Sequence, residues 1–232
     1  MGTDLKIEMP ENYRWMTCLT ETKKGQRYVM NLPTEEIYAA PRRDGVDGIV
    51  YGSLPLVYQG STIRDFWIRF EHGKVVEADA KEGKEVLMSL IGFDEGAAYL
   101  GEVALVPCDS AISRTGTLFY NPLYDENASC HLALGLGIVE CIPGSEDMSQ
   151  EELSARGINY SGIHVDFMIG TQDLSIRGVT QSGEEIAVFE NGAFSPAFVQ
   201  FTARYYDDQV YHPQYGSEIW KNRHFYAKTH SG

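Results

Sequence analysis

Histidines and carboxylates that could share a metal ion fall at four places along the chain. Asp125-Glu126-Asn127-Ala128-Ser129-Cys130-His131 and His164-Val165-Asp166 each hold a histidine close to acidic residues. Upstream, Pro33-Thr34-Glu35-Glu36 and Tyr99-Leu100-Gly101-Glu102-Val103-Ala104-Leu105 place carboxylates in apolar surroundings. Imidazole nitrogen and carboxylate oxygen together suit zinc, manganese and cobalt, and water on such an ion becomes a nucleophile near neutral pH. The set supplies ligands for one or two divalent metals and points to hydrolysis rather than passive binding.

Each element also has a blander reading. In an extended segment Glu35 and Glu36 point to different sides, so one can hold an ion while its neighbour takes a proton from the activated water. The same residues also read as a helix start, with Thr34 as cap and the acids complementing the macrodipole. Glu102 stands in an apolar run where a lone carboxylate resists ionising without a cation, unless it occupies the solvent face of a strand. Asp166, two residues after His164, shares a strand face with it and can meet the same ion or orient the ring.

The elements that must position these residues are mostly strands. Turn signals are frequent (Lys24-Gly25, Asp44-Gly45, Asp47-Gly48, Gln59-Gly60, His72-Gly73, Ser182-Gly183, Asn191-Gly192), and between them lie alternating or β-branched segments. Strands are expected at 49–51, 63–70 and 74–78, the last two joined by a hairpin at Glu71-His72-Gly73. A helix is expected from Lys81 to Ile91, another from Gln150 to Ala155 after Ser149, and a small-residue helix over Leu132-Ala133-Leu134-Gly135-Leu136-Gly137-Ile138. The fold class is α+β, with strands dominant in an antiparallel or mixed sheet.

Composition bounds the function. The 232 residues are 43% hydrophobic with a formal charge of −14, which fits a globular chain and disfavours nucleic acid as a partner. Cys18, Cys108, Cys130 and Cys141 form no CxxC pair, fitting reduced thiols in a cytoplasm. The N-terminus lacks an apolar leader and no run has the length of a membrane span, so a cytoplasmic protein without a membrane partner is expected. A boundary falls near Ser195-Pro196. Residues 195–232 form an aromatic-rich, mildly basic extension suited to docking on the acidic body or on a second copy, which favours a homo-oligomer, as a dimer.

Read in order, Asn31-Leu32-Pro33-Thr34-Glu35-Glu36, Tyr99 to Pro107, Leu118-Phe119-Tyr120-Asn121, Asp125 to Ala133 and His164-Val165-Asp166-Phe167-Met168-Ile169-Gly170 resemble the M29 family of metal-dependent aminopeptidases. The resemblance covers about residues 2–192 and implies a thermophilic metalloprotease-like catalytic domain over 1–194. It implies two divalent metal ions (zinc, cobalt or manganese) held by Glu36, Glu102, His131, His164 and Asp166, with Glu102 between them as ligand and catalytic residue. It also implies removal of N-terminal residues from peptide substrates by a metal-activated water. The adjacency argument makes Glu35 the catalytic base.

Two departures qualify what the resemblance implies. Family members typically carry a tyrosine seven residues after the position of His131, where this chain has Ile138, so a hydroxyl able to steady the tetrahedral intermediate is absent. Tyr120, Tyr124 and Tyr160 are candidates to replace it. The family also places an N-terminal α/β domain ahead of this segment, and the expectation is that the domain is missing here. The alternative function is a family remnant that binds metal or protein with little turnover, its tail mediating oligomerisation.

Overall fold

The computed structural model describes residues 2–22, 24–30, 34–180, 182–196, 198 and 222–229. In chain order the strands are β1 (Asp4–Glu8), β2 (Leu19–Glu21), β3 (Arg27–Val29), β4 (Ile37–Ala39), β5 (Val46–Tyr51), β6 (Leu56–Tyr58), β7 (Ser61–Glu71) and β8 (Lys74–Glu82). Helix α1 (Lys84–Ile91) follows, then β9 (Leu100–Leu105), α2 (Pro122–Asp125), β10 (His131–Gly135) and α3 (Gln150–Ala155). The chain continues through β11 (His164–Met168), β12 (Leu174–Thr180), β13 (Glu185–Glu190), β14 (Ala193–Phe194) and β15 (Asn222–Thr229).

Among the described residues these strands form a nine-stranded sheet in the order β14-β13-β12-β15-β1-β5-β7-β6, with β8 also on β7. A four-stranded sheet runs β11-β10-β9-β4, and β2 pairs with β3. Every pairing between these strands is antiparallel. The strand-rich α+β expectation therefore holds.

The strands at 49–51, 63–70 and 74–78 are present within β5, β7 and β8. The hairpin turns at His72 and Gly73, whose φ values of 49° and 82° suit a tight turn. At Gly73 a Cβ would meet the Arg43 carbonyl at 1.7 Å, so only glycine fits. Helix α3 begins with a full capping box, Ser149 accepting from Glu152 N–H while Glu152 accepts from Ser149 N–H.

Three expectations need correction. The helix placed from Lys81 starts at Lys84, because Lys81 and Glu82 complete β8 opposite β7. The helix placed over 132–138 is instead β10: large Leu132 and Leu134 alternate with small Ala133 and Gly135, and β9 and β11 pair on either side. A buried central strand reads as an unbroken apolar run, which periodicity alone does not separate from a buried helix. Thr34-Glu35-Glu36 starts no helix and leads directly into β4.

The two larger sheets share one core. Leu5, Ile7, Val46, Val50, Ile63, Phe66, Ile68 and Phe70 of the large sheet join Leu100, Leu132, Leu134 and Phe167 of the small one in a continuous buried cluster. The Phe66 and Phe167 rings meet edge to face at 5.9 Å across the boundary. This packing fixes which face of the small sheet is left for chemistry. Cys18, Cys108, Cys130 and Cys141 are all free thiols.

Of the aromatic extension, residues 222–229 form β15 between β1 and β12. Phe201, Tyr205, Tyr206, Tyr211, Tyr215 and Trp220 lie outside the described residues. Among the described residues, no helix is long and apolar enough to cross a membrane.

Candidate metal centre

In the small sheet Ala133 stands opposite Glu102 on one side and Asp166 on the other, His131 opposite Ala104 and Met168, and Gly135 opposite His164. Side chains alternate between the faces of a strand. Glu102, His131, His164 and Asp166 therefore project from one face, while Leu132, Leu134 and Phe167 take the other into the core. The small residues Ala133 and Gly135 keep the middle strand low between flanking acids and imidazoles. Tyr38 of β4 pairs with Ala104, so Glu36, two residues earlier, arrives on the ligand side.

The distances confirm the convergence. Glu36 Oε2 lies 3.0 Å from His131 Nε2, and His164 Nε2 lies 2.9 Å from Glu102 Oε2 and 3.4 Å from Asp166 Oδ1. Each ring is oriented by its other nitrogen: His131 Nδ1 is 3.1 Å from the Ser129 carbonyl and His164 Nδ1 is 2.7 Å from the Leu136 carbonyl. A carbonyl can only accept, so both Nδ1 atoms carry the hydrogen and both Nε2 atoms face the carboxylates.

Ligand atoms gather in groups within 4.8 Å: Glu36, Glu102 and His131; Glu102, His164 and Asp166; and Glu126, His131 and Asp166. Glu102 belongs to the first two groups. All five residues expected as ligands are thus brought together. Glu35 is in none of these groups: its carboxylate accepts from Ala111 N–H at 2.6 Å and its own N–H donates to Asn127 Oδ1 at 2.7 Å.

The fit to a cation rests on unmet oxygens. Glu36 Oε2 and Asp166 Oδ1 are buried and, despite the nearby imidazoles, have no hydrogen bond of acceptable geometry among the described residues. A buried anionic oxygen without a donor is costly, and a divalent ion among these carboxylates and Nε2 atoms would satisfy both. The nitrogen and oxygen donors suit zinc, cobalt or manganese alike.

The electrostatics point the same way. Burial alone would push His131 down, but Glu36, Glu102 and Asp166 outweigh it and hold the imidazole up to about 10. His164 is likewise pushed up to about 11, against burial, by Asp166 and Glu102, although 29% of its side chain is exposed and solvent screens the effect more there. Burial raises Glu102 above the usual carboxylate range, with His164 and His131 pulling it back. Burial would also raise Asp166, but His164 and His131 hold it below the usual range.

Some site residues escaped the sequence reading. Glu126 is 7% exposed and burial first, then the charges of Asp166 and Glu36, push its carboxyl up to about 8. In sequence it stands in the acidic segment before His131 with no role of its own assigned, and its burial sets it apart. Asn127 is fully buried and links three segments: Oδ1 accepts from Glu35 N–H, Nδ2 donates to the Leu123 carbonyl, and its carbonyl accepts from the Ser110 hydroxyl. Cys18 Sγ lies 3.6 Å from Glu36 Oε1, a weak thiol donor on the ligand side chain. Ile138 is partly buried and packs on the core, bringing no hydroxyl to this site. Tyr120, Tyr124 and Tyr160 are exposed.

Comparison with known proteins agrees with the geometry. Residues 1–194 match the family described as thermophilic metalloprotease (M29). The chain is 47% identical over 191 residues to aminopeptidase AmpS of Bacillus subtilis (strain 168), covering 82% of this chain and 47% of that protein. It is 44% identical over 191 residues to aminopeptidase T of Thermus aquaticus, covering 82% of this chain and 46% of that one. The solved structure of wild-type AmpT from Thermus thermophilus superposes with a TM-score of 0.78 at 41% identity, over 84% of this chain and 48% of that chain. The chain spans about half the length of the relatives it matches. With the family match over residues 1–194, most of its length, the chain belongs to the M29 family of thermophilic metalloproteases.

Proposed function

We propose that this chain carries the catalytic site of a metal-dependent aminopeptidase that removes N-terminal residues from peptides through two divalent ions. The observation that carries the reading is the pair of ligand-type groups sharing Glu102, with Glu36 Oε2 and Asp166 Oδ1 buried and lacking a hydrogen bond of acceptable geometry among the described residues. Glu36, Glu102 and His131 would hold one ion, and Glu102, His164 and Asp166 the other, with Glu102 as the bridge. Zinc, cobalt or manganese bound there would polarise the scissile carbonyl and supply an activated water. The relatives named aminopeptidases support the substrate class, a peptide with a free amino terminus. The acidic surroundings of the site favour that cationic terminus.

The remaining chemistry belongs to the side chains. Glu126 is the carboxylate assigned to carry the proton from water to the leaving amine: it is buried and lies in the group with His131 and Asp166. Glu35 is the second reading for this role, favoured by its adjacency to Glu36, with its carboxylate now seen on Ala111 N–H. Glu35 also ties the segment bearing Glu36 to Asn127 through its backbone N–H.

Ile138 favours one further reading, a family member that binds metal and turns over little, because no hydroxyl stands at its position. Hydrolysis of aminoacyl p-nitroanilides after adding zinc, cobalt or manganese tests the proposal, with Glu102→Gln as the inactive control. Metal-dependent release that Glu102→Gln abolishes supports an aminopeptidase. Stoichiometric metal binding without turnover, and recovery in Ile138→Tyr, would favour the low-turnover reading.

A further inference from the structure

His164 is the ligand least enclosed by the core, and its orientation depends on the segment that delivers it. Asp94, in the turn after α1, accepts from Ala97 N–H and the Ser161 hydroxyl through Oδ1 and from Gly162 N–H through Oδ2, at 2.8, 2.8 and 2.6 Å. The Ser161 hydroxyl in turn accepts from Ile163 N–H at 3.2 Å. Asn159, 2% exposed, donates through Nδ2 to the carbonyls of Gly96 and Gly135 at 2.8 and 2.6 Å, and its carbonyl accepts from Gly137 N–H at 2.9 Å.

Residues 159–163 are thereby clamped between the 94–97 turn and the end of β10. The clamp reaches the ligand through two short contacts: Leu136 N–H donates to the Ile163 carbonyl at 2.6 Å, and the Leu136 carbonyl accepts from His164 Nδ1 at 2.7 Å. The approach is so close that a Cβ on Gly96 would meet the Tyr160 carbonyl at 1.8 Å, and one on Gly135 the Ile163 carbonyl at 2.1 Å. His131, by contrast, is oriented by Ser129 of its own segment, and Glu36 accepts from the Cys18 thiol.

We propose that Asp94 is a positioning residue for one half of the metal centre: acting through Ser161 and the 159–163 clamp, it holds His164 Nε2 on line for its ion and leaves the Glu36–His131 half unaffected. The inference rests on the two-ion reading above and assigns that reading's ions separate supports. Groups that orient a ligating histidine typically govern about 10- to 100-fold in metal affinity.

Calorimetric titration of the metal-free 232-residue chain with Co²⁺ tests it, with circular dichroism confirming that each variant is folded. The parent chain should bind two ions. Asp94→Ala should weaken one of them about 10- to 100-fold and leave the other unchanged, and Ser161→Ala should act in the same direction should Asp94→Ala not fold. In a His164→Ala background Asp94→Ala should have no further effect, whereas in a His131→Ala background it should weaken the ion that remains. Unchanged affinity for both ions, or equal weakening of both, overturns the inference. Fewer than two ions bound by the parent chain defeats the two-ion reading itself, and with it the inference, before any variant is compared.

Discussion

At the scale of single residues, the centre is a set of buried carboxylates that raises two imidazoles well above the ordinary histidine range. The sign of the pH dependence follows. Because His131 and His164 are raised to about 10 and 11, their contribution to the metal-free fold is fully present below the ordinary histidine value of about 6.5 and lost as pH rises through 10 to 11. Thermal melting of the metal-free chain should therefore show stability falling from about pH 7 to about pH 10–11. Metal binding must expel these protons, so apparent cobalt affinity should be higher at pH 8 than at pH 6, with proton release on binding. Replacing Glu126 by Gln should lower kcat about 10²- to 10⁴-fold while both ions still bind, whereas Glu35→Gln should cost less than about 10-fold. The reverse ranking would return the proton-carrying role to Glu35. The ligand-type residues were legible in the sequence because carboxylates in apolar runs and a histidine two residues from an aspartate stand out. The roles of Glu126 and Asn127 were not, since nothing within the Asp125–His131 segment signals that both side chains will be buried.

At the scale of elements, the decisive piece is β10. Its small residues sit under the site and its leucines sit in the core, so one strand serves both functions. Sequence periodicity missed this, because an apolar run paired on both sides has no polar face to betray its period. The β7–β8 hairpin and the capped α3 were legible for the opposite reason: turn glycine and capping box are local signals that need no knowledge of neighbours. Ala133, between Glu102 and Asp166 and fully buried, should be intolerant of added bulk. Ala133→Val should cost about 1–3 kcal/mol of stability by overpacking and reduce the bound cobalt below two equivalents. An Ala133→Val chain that melts normally and still takes up two ions would show that the space above β10 is not where metal binds.

At the scale of the whole molecule, the four-stranded sheet rests its leucine face on a larger sheet that β15 makes continuous. Among the described residues β15 is what joins β12 to β1, so the sheet depends on a strand near the end of the chain. A chain shortened before Asn222 should lose more than about 10 °C in Tm, because β1 and β12 are left with open edges. Unchanged melting would mean that the two halves of the sheet hold together without β15. This closure was not legible from sequence, since pairing between residues 4–8 and 224–228 has no local signature. The most direct test of the central claim is a crystal structure of the chain with cobalt, read by anomalous scattering. Two peaks about 3.5–4 Å apart are expected, one among Glu36, Glu102 and His131 and one among Glu102, His164 and Asp166. A single peak, or metal bound away from these side chains, would contradict it.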